Sequence, residues 1–272
     1  MHENYCEKYG EWAVISGGAQ GIGATFAERF ARMGMSLLLI DANSMVLLST
    51  VERLKRQYPK IKVVGKVLDL ADRNELGALL EEIDEWDIGV LVANAAVAEI
   101  GLWLDVPMAT KVRQIDINCV SALMLCSSIS QGMAARKRGG IIVMASGAAD
   151  MGSSFITTYA ATKAFDRVLA EGLYSELRPY GVDVTTVMPG SVDTPGFRDT
   201  LKPGQEPTAL MAPIAADLVV DAALAGLGNK INVRPAASNA IVGLIAATVM
   251  KFLPRRQLMA MADKAVRAMY SR

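Results

Sequence analysis

From Trp12 onward the chain alternates short apolar runs with longer amphipathic stretches, and this alternation limits the fold more than any other feature. Runs of strand length, rich in β-branched residues, occupy 13–16, 37–40, 62–66, 90–93, 141–145, 183–188 and 230–233. Between them apolar residues recur at helical spacing over 22–33, 44–57, 73–82, 111–133, 157–180 and 213–227. Continuous apolar strands must be covered on both faces, which calls for a parallel sheet with helices on either side. The expected fold is therefore α/β, a doubly wound parallel sheet of seven strands. No linker, repeat or low-complexity tract interrupts the pattern, so one domain is expected.

Composition removes several classes of function. The chain has 28 basic and 28 acidic side chains, so no basic field points to nucleic acid. The opening MHENYCEKYGEW carries acidic residues and no apolar segment, unlike a secretory signal. Cys6, Cys119 and Cys126 make no disulfide framework, and a reducing cytoplasm is the expected location. His2 is the sole histidine, which rules out an internal Ser-His-Asp triad and argues against a histidine-built metal site. The apolar run 240–250 is eleven residues long, too short to cross a bilayer, so no transmembrane segment is expected.

The first strand-to-helix turn reads SGGAQGIG, with Gly17, Gly21 and Gly23. Glycines there let main-chain amides approach a pyrophosphate, and the following helix offers its positive end to the charge. Asp41 ends the next apolar run, near the offset of about 20 residues expected of an acid that binds the adenosine ribose. A carboxylate there accepts from ribose hydroxyls and repels a 2′-phosphate. Gln20, Ala42 and Asn43 supply no compensating cation, so NAD is the expected cofactor. Asp69 and Leu70 follow the third strand, where a side chain can meet the adenine edge, and Asn94 follows the fourth. Asn118 lies among apolar neighbours in the long fifth helical pattern, where it is either a satisfied core amide or a functional group.

The chemistry is carried by SGAADMGSSFITTYAATK, from Ser146 to Lys163. Ser146 stands at the end of an apolar strand, while Tyr159 and Lys163 lie one helical turn apart on a shared face. The three polar tips can then surround one point and move a proton at a hydroxyl or carbonyl. Tyr58 and Lys62 repeat the spacing, but around Pro59 and without a strand-end serine.

These residues together resemble the short-chain dehydrogenase/reductase family over nearly all of 10–235. The glycine turn, Asp69, Asn94, the set Asn118, Ser146, Tyr159 and Lys163, and PGSVDTP match its motifs in order. Two departures stand at strand ends: Ala93-Asn94-Ala95-Ala96 replaces the family's NNAG, and Met144 stands where many members have asparagine. The resemblance implies a Rossmann-type domain over 1–235, a substrate lid at about 195–212 and a helical C-terminal extension, 236–272. It places the cofactor against Gly17, Gln20, Gly21, Ile22, Gly23, Asp41, Asp69, Leu70, Asn94, Tyr159, Lys163, Pro189, Gly190, Val192 and Thr194.

In the implied mechanism Tyr159 is the general acid–base. A free phenol titrates near ~10, and the Lys163 ammonium favours the phenolate. Ser146 hydrogen-bonds the substrate oxygen, Asn118 holds a relay water, Lys163 holds the nicotinamide ribose and Thr194 its carboxamide. Leu201, Leu210 and Met211 in the lid suit a small hydrophobic substrate. The family's hydroxysteroid and bile-acid dehydrogenases are the nearest in pattern, with 3-oxoacyl reductases as the alternative and an NAD-sensing binding protein as the non-enzymatic one. A homodimer or homotetramer is implied. The extension is expected to pack over the cleft or on a second subunit, with weak membrane-surface association as the lesser use.

Overall fold

Strands β1 (Trp12–Ser16), β2 (Ser36–Asp41), β3 (Val63–Val67), β4 (Ile88–Ala93), β5 (Gly139–Met144), β6 (Val182–Val187) and β7 (Asn232–Val233) form one sheet. Their order is β3-β2-β1-β4-β5-β6-β7, and every pairing is parallel. The seven-stranded, doubly wound expectation holds. The structure is a computed structural model that describes residues 5–201, 206–207, 211–235 and 253–270. His2, Pro203, Gly204, Leu210, Lys251 and the apolar run 240–250 lie outside the described residues.

The period of two along each strand divides the core into two layers. Ala13, Ile15, Leu37 and Leu39 point to one face, with Phe26, Phe30, Leu47 and Val219. These come from α2 (Gly21–Arg32), α3 (Ser44–Gln57) and α9 (Ala216–Gly226). Val14, Leu38 and Ile40 point to the other, against Leu76, Leu125, Ile129 and Ala170. Those belong to α4 (Arg73–Glu82), α6 (Ser121–Arg136) and α7 (Thr157–Leu177). Full burial of each such side chain contributes roughly 1.5–3 kcal/mol, so a one-residue slip of any central strand would be prohibitive. Short helices α1 (Tyr5–Lys8), α5 (Met108–Ile115) and α8 (Pro195–Arg198) complete the body with α10 (Arg255–Tyr270).

Most ends shift by one to three residues; three elements depart from expectation in kind or extent, each at a tertiary contact. The helix expected over 111–133 starts at Met108, ends at Arg136 and is interrupted by a π turn, Asp116–Val120. There the Ser121 amide reaches five residues back to the Asp116 carbonyl, and the widened turn carries Asn118. Pro213 does not begin a helix. The Ile214 amide donates to the Ser191 carbonyl and its own carbonyl accepts from the Asp193 amide, so this segment is bridged to Val192 and α9 starts at Ala216. The last strand shrinks to Asn232–Val233, because the carbonyls of Lys230 and Ile231 face the Thr185 hydroxyl at 2.7 and 3.3 Å.

Met108–Arg136 is long and apolar enough to cross a membrane by length and composition. Here it covers the sheet, with 56% of its most apolar window buried.

Candidate active site

The strand order reverses at β1, between β2 and β4, and a crevice of about 1590 Å³ opens beyond the carboxyl ends of these strands. That exceeds the roughly 300–1,000 Å³ of a pocket for one drug-sized ligand, so it has room for a dinucleotide and a second molecule together. Of the residues expected at the site, Gly23 and Asn118 do not line this crevice; all the others do.

One half is built for a nucleotide. Gly17 and Gly21 have φ of +64° and +56°, which only glycine adopts without strain. A Cβ on Gly23 would lie 2.0 Å from the Gly17 carbonyl oxygen, so Gly23 acts beneath the turn by letting α2 approach it. Asn94 closes the same corner: its side-chain amide donates to the carbonyls of Ser16 (2.9 Å) and Gly17 (3.1 Å). Gln20 precedes α2 without capping it through its side chain, and the first turn holds no acid. The positive end of the helix is thus left for an anion. Asp41 is held rigidly, accepting from the amides of Ala19 and Asn43, both at 3.0 Å. Asp69 accepts two bonds from Arg113, at 2.9 and 3.1 Å. That guanidinium and the Ala71 amide hold the Asp69 carboxyl below the usual carboxylate range. Amides for phosphates and a fixed carboxylate for a ribose fit a dinucleotide.

The other half carries the proton chemistry. Ser146 lies two residues past β5 and caps the 3-10 turn Gly147–Asp150, accepting from the Ala148 amide at 3.2 Å, which leaves its own proton to donate. Tyr159 and Lys163 project from the first turns of α7. Lys163 is only 2% exposed, and its ammonium donates to the Met144 carbonyl (2.7 Å) and to Asp166 Oδ2 (2.9 Å). The departure at Met144 costs no side-chain ligand here, since the main chain makes the contact. Behind them Asn118 clamps two segments. Its oxygen accepts from the Val97 amide, and its NH2 group donates to the Val97 carbonyl and Thr162 Oγ1, all at 2.9 Å. Burial pushes the thiols of Cys119 and Cys126 up to about 12, far from reactive thiolates. The second tyrosine–lysine pair lies elsewhere: the Tyr58 hydroxyl binds Glu28 on the outer surface, and burial and Glu28 push it up.

Pro189, Gly190 and Val192 form the floor where β6 ends, and the Pro189 carbonyl accepts from the Gly147 amide at 2.7 Å. Thr194 caps α8 through the Phe197 amide (3.2 Å), and its side chain lies 3.2 Å from where a Cβ on Gly21 would sit. The segment 195–201 therefore begins directly over the glycine turn.

The far wall was not legible residue by residue. Ala262, Ala265, Val266 and Tyr270 of α10 line the crevice together with Phe155 and Met151. Ser154 donates from its amide (3.1 Å) and its hydroxyl to Asp263, while Arg255 reaches the Asp150 carbonyl. The Tyr270 hydroxyl meets Thr200 at 3.3 Å. Phe155, with φ +64°, is a strained non-glycine residue at this edge. The expectation that the extension packs over the cleft or on a second subunit named the element, but the helical period of α10 does not say which of its residues line the wall.

Residues 11–203 match the short chain dehydrogenase family, and the chain belongs to it. The fold of that family binds a nicotinamide cofactor. The chain is similar to a very-long-chain 3-oxoacyl-CoA reductase-like protein of Arabidopsis thaliana, at 30% identity over 69% of this chain and 62% of that protein. It is also similar to a 7beta-hydroxysteroid dehydrogenase of Mediterraneibacter gnavus, at 29% identity over 84% of this chain and 86% of that protein. Among solved structures, a short-chain dehydrogenase from Sphingobium yanoikuyae in complex with NADPH matches with a TM-score of 0.77. That likeness has 27% identity and covers 90% of this chain and 96% of the other. The chain thus spans about three-fifths of the plant relative's length but most of the bacterial one's.

Proposed function

We propose that this chain is an NAD(H)-dependent dehydrogenase that interconverts a hydrophobic secondary alcohol and its ketone, with a hydroxysteroid of bile-acid type as the favoured substrate. The observation that carries the reading is the placement of Ser146, Tyr159 and Lys163 between a glycine-lined nucleotide half and an apolar far wall. A nicotinamide cofactor held by the glycine turn and Asp41 would supply or accept the hydride. The protein orients the substrate and handles the proton. On oxidation Tyr159, as phenolate, takes the hydroxyl proton; on reduction it returns one to the forming alkoxide. Ser146 donates to the substrate oxygen and stabilises negative charge on it. An ammonium has three protons. Two from Lys163 go to Met144 and Asp166, and the third is the one for the nicotinamide ribose. Asn118 serves by holding α7 against the Val97 loop. Both its amide protons are engaged there, so a relay water would bind through its main chain.

The bacterial 7beta-hydroxysteroid relative, similar along most of its length, supports the steroid reading. The plant relative supports a 3-oxoacyl thioester as the second one. A screen of NAD+ reduction over hydroxysteroids, bile acids, 3-hydroxyacyl thioesters and polyols tests both. Turnover of a hydroxysteroid is the expected result; turnover of thioesters or polyols alone would remove the favoured substrate.

We also read the chain as a homo-oligomer. Val112 and Ile115 of α5, Leu123 of α6, and Phe165 and Val168 of α7 are exposed, the last two at 39% and 57%. A second copy would cover this apolar face. Sedimentation should show a dimer or tetramer, and Val168→Asp should shift it toward monomer. A monomeric unsubstituted protein at micromolar concentration would contradict the assignment.

A further inference from the structure

We infer that Asp166 is a positioning residue of this reaction: it decides which member of the Tyr159–Lys163 pair carries the proton the two compete for. The inference rests on the reading of Tyr159 as acid–base. After one proton leaves, the pair can exist as phenolate and ammonium, which is active in oxidation, or as phenol and amine, which is not. Burial disfavours the ammonium, because a charged group loses its hydration. Lys163 is 2% exposed, so the site by itself would tilt toward phenol and amine.

Asp166 stands one turn further along α7 and is also 2% exposed, with Oδ2 2.9 Å from the ammonium. Its other oxygen, Oδ1, is buried without a hydrogen-bond partner among the described residues. An apolar side chain there would avoid that orphaned atom. What the carboxylate supplies is charge. Burial pulls the Lys163 ammonium down and the Asp166 carboxyl up; Asp166, together with Tyr159 and Cys119, more than offsets the first effect and leaves Lys163 above the ordinary lysine value. The titratable groups facing the pair are Cys119 from the π turn and Tyr270 from α10, while Cys126 of α6 faces Asp166. Strand β5 contributes the Met144 carbonyl.

The same charge has a second effect of opposite appearance. An anion beside the pair holds protons on it, so the pH at which the pair first deprotonates is higher than it would otherwise be. Removing the charge should therefore lower that pH and, at the same time, leave more of the deprotonated pair in the inactive form. A residue that serves only packing would change activity or stability without moving the titration.

The test is the pH profile of kcat/KM for NAD+-dependent alcohol oxidation by the unsubstituted enzyme, Asp166→Asn, Asp166→Ser and Asp166→Glu. In the two neutral variants the acid limb should move down by about one pH unit and the plateau should fall about tenfold. Asp166→Glu should return the limb toward its original position. NADH titration and thermal melts confirm that each variant is folded. If the unsubstituted protein turns over and the limb stays put in both neutral variants, this proposal alone falls. If both fail to fold, Asp166 is structural and the proposal is overturned. If the unsubstituted protein oxidises no alcohol with either nicotinamide cofactor, the reading of the site fails and takes this one with it.

Discussion

Tyr159→Phe is expected to lower kcat for alcohol oxidation by about 10³-fold while leaving the affinity for NADH unchanged. The substitution removes one oxygen and keeps the ring that lines the crevice. General acid–base catalysis by a placed side chain is worth roughly 10²–10⁴-fold. Ser146 is a hydroxyl bonded, among the described residues, to the Ala148 amide, and Lys163 is held by Asp166 and the Met144 carbonyl. The helix should be indifferent, because the Tyr159 contact that anchors Thr162 is made by its carbonyl, at 2.8 Å. Steady-state kinetics together with a fluorescence titration of NADH check both halves of the statement. Retained turnover would remove Tyr159 from the chemistry. Unchanged NADH binding with no turnover before substitution would favour a cofactor-sensing protein on the same fold.

The second large effect concerns the cofactor. NAD+ is expected to exceed NADP+ by at least about 100-fold in kcat/KM, and Asp41→Ser should erase most of that margin. The Asp41 carboxylate cannot easily swing aside, since one oxygen holds the Ala19 amide and the other the Asn43 amide. Two like charges 4 Å apart cost about 4 kcal/mol at an effective dielectric of 20. A 100-fold preference needs only about 2.7 kcal/mol. The cation nearest in kind, Arg113, is engaged by both oxygens of Asp69. The Sphingobium relative was solved with NADPH, so the prediction separates this chain from that neighbour. Parallel kinetics with the two cofactors decide it, and higher efficiency with NADP+ would overturn the argument from Asp41.

Much of the fold was legible because its signals are local. Strands β1, β2 and β4 are continuous apolar runs, and α3 and α4 begin and end at the residues where the helical pattern does. The capping side chains of Asn43 and Asp72 sit just before them. The glycine turn could also be read in one dimension, because the absence of a Cβ is a property of each residue alone. By contrast, the π turn at Asn118 was read as plain helix. Its cause is a set of bonds to Val97 and Thr162, the latter 44 residues away.

The candidate site divides along the same line. Which residue types could do proton chemistry, and that Tyr159 and Lys163 share a helical face, followed from spacing in the chain. Where those groups face, and what surrounds them, did not. Asp69 meets Arg113 across 44 residues, Thr200 meets Tyr270 across 70, and Ser154 meets Asp263 across 109. Asp166, three residues from Lys163, carries no local signal of burial; packing of α7 against the π turn and α6 buries it. Sequence alone determined the periodicities and the inventory of reactive groups, since both depend on near neighbours. Tertiary structure decided burial, and burial decides what a charge does, because the strength of an ion pair depends on how much water is left around it.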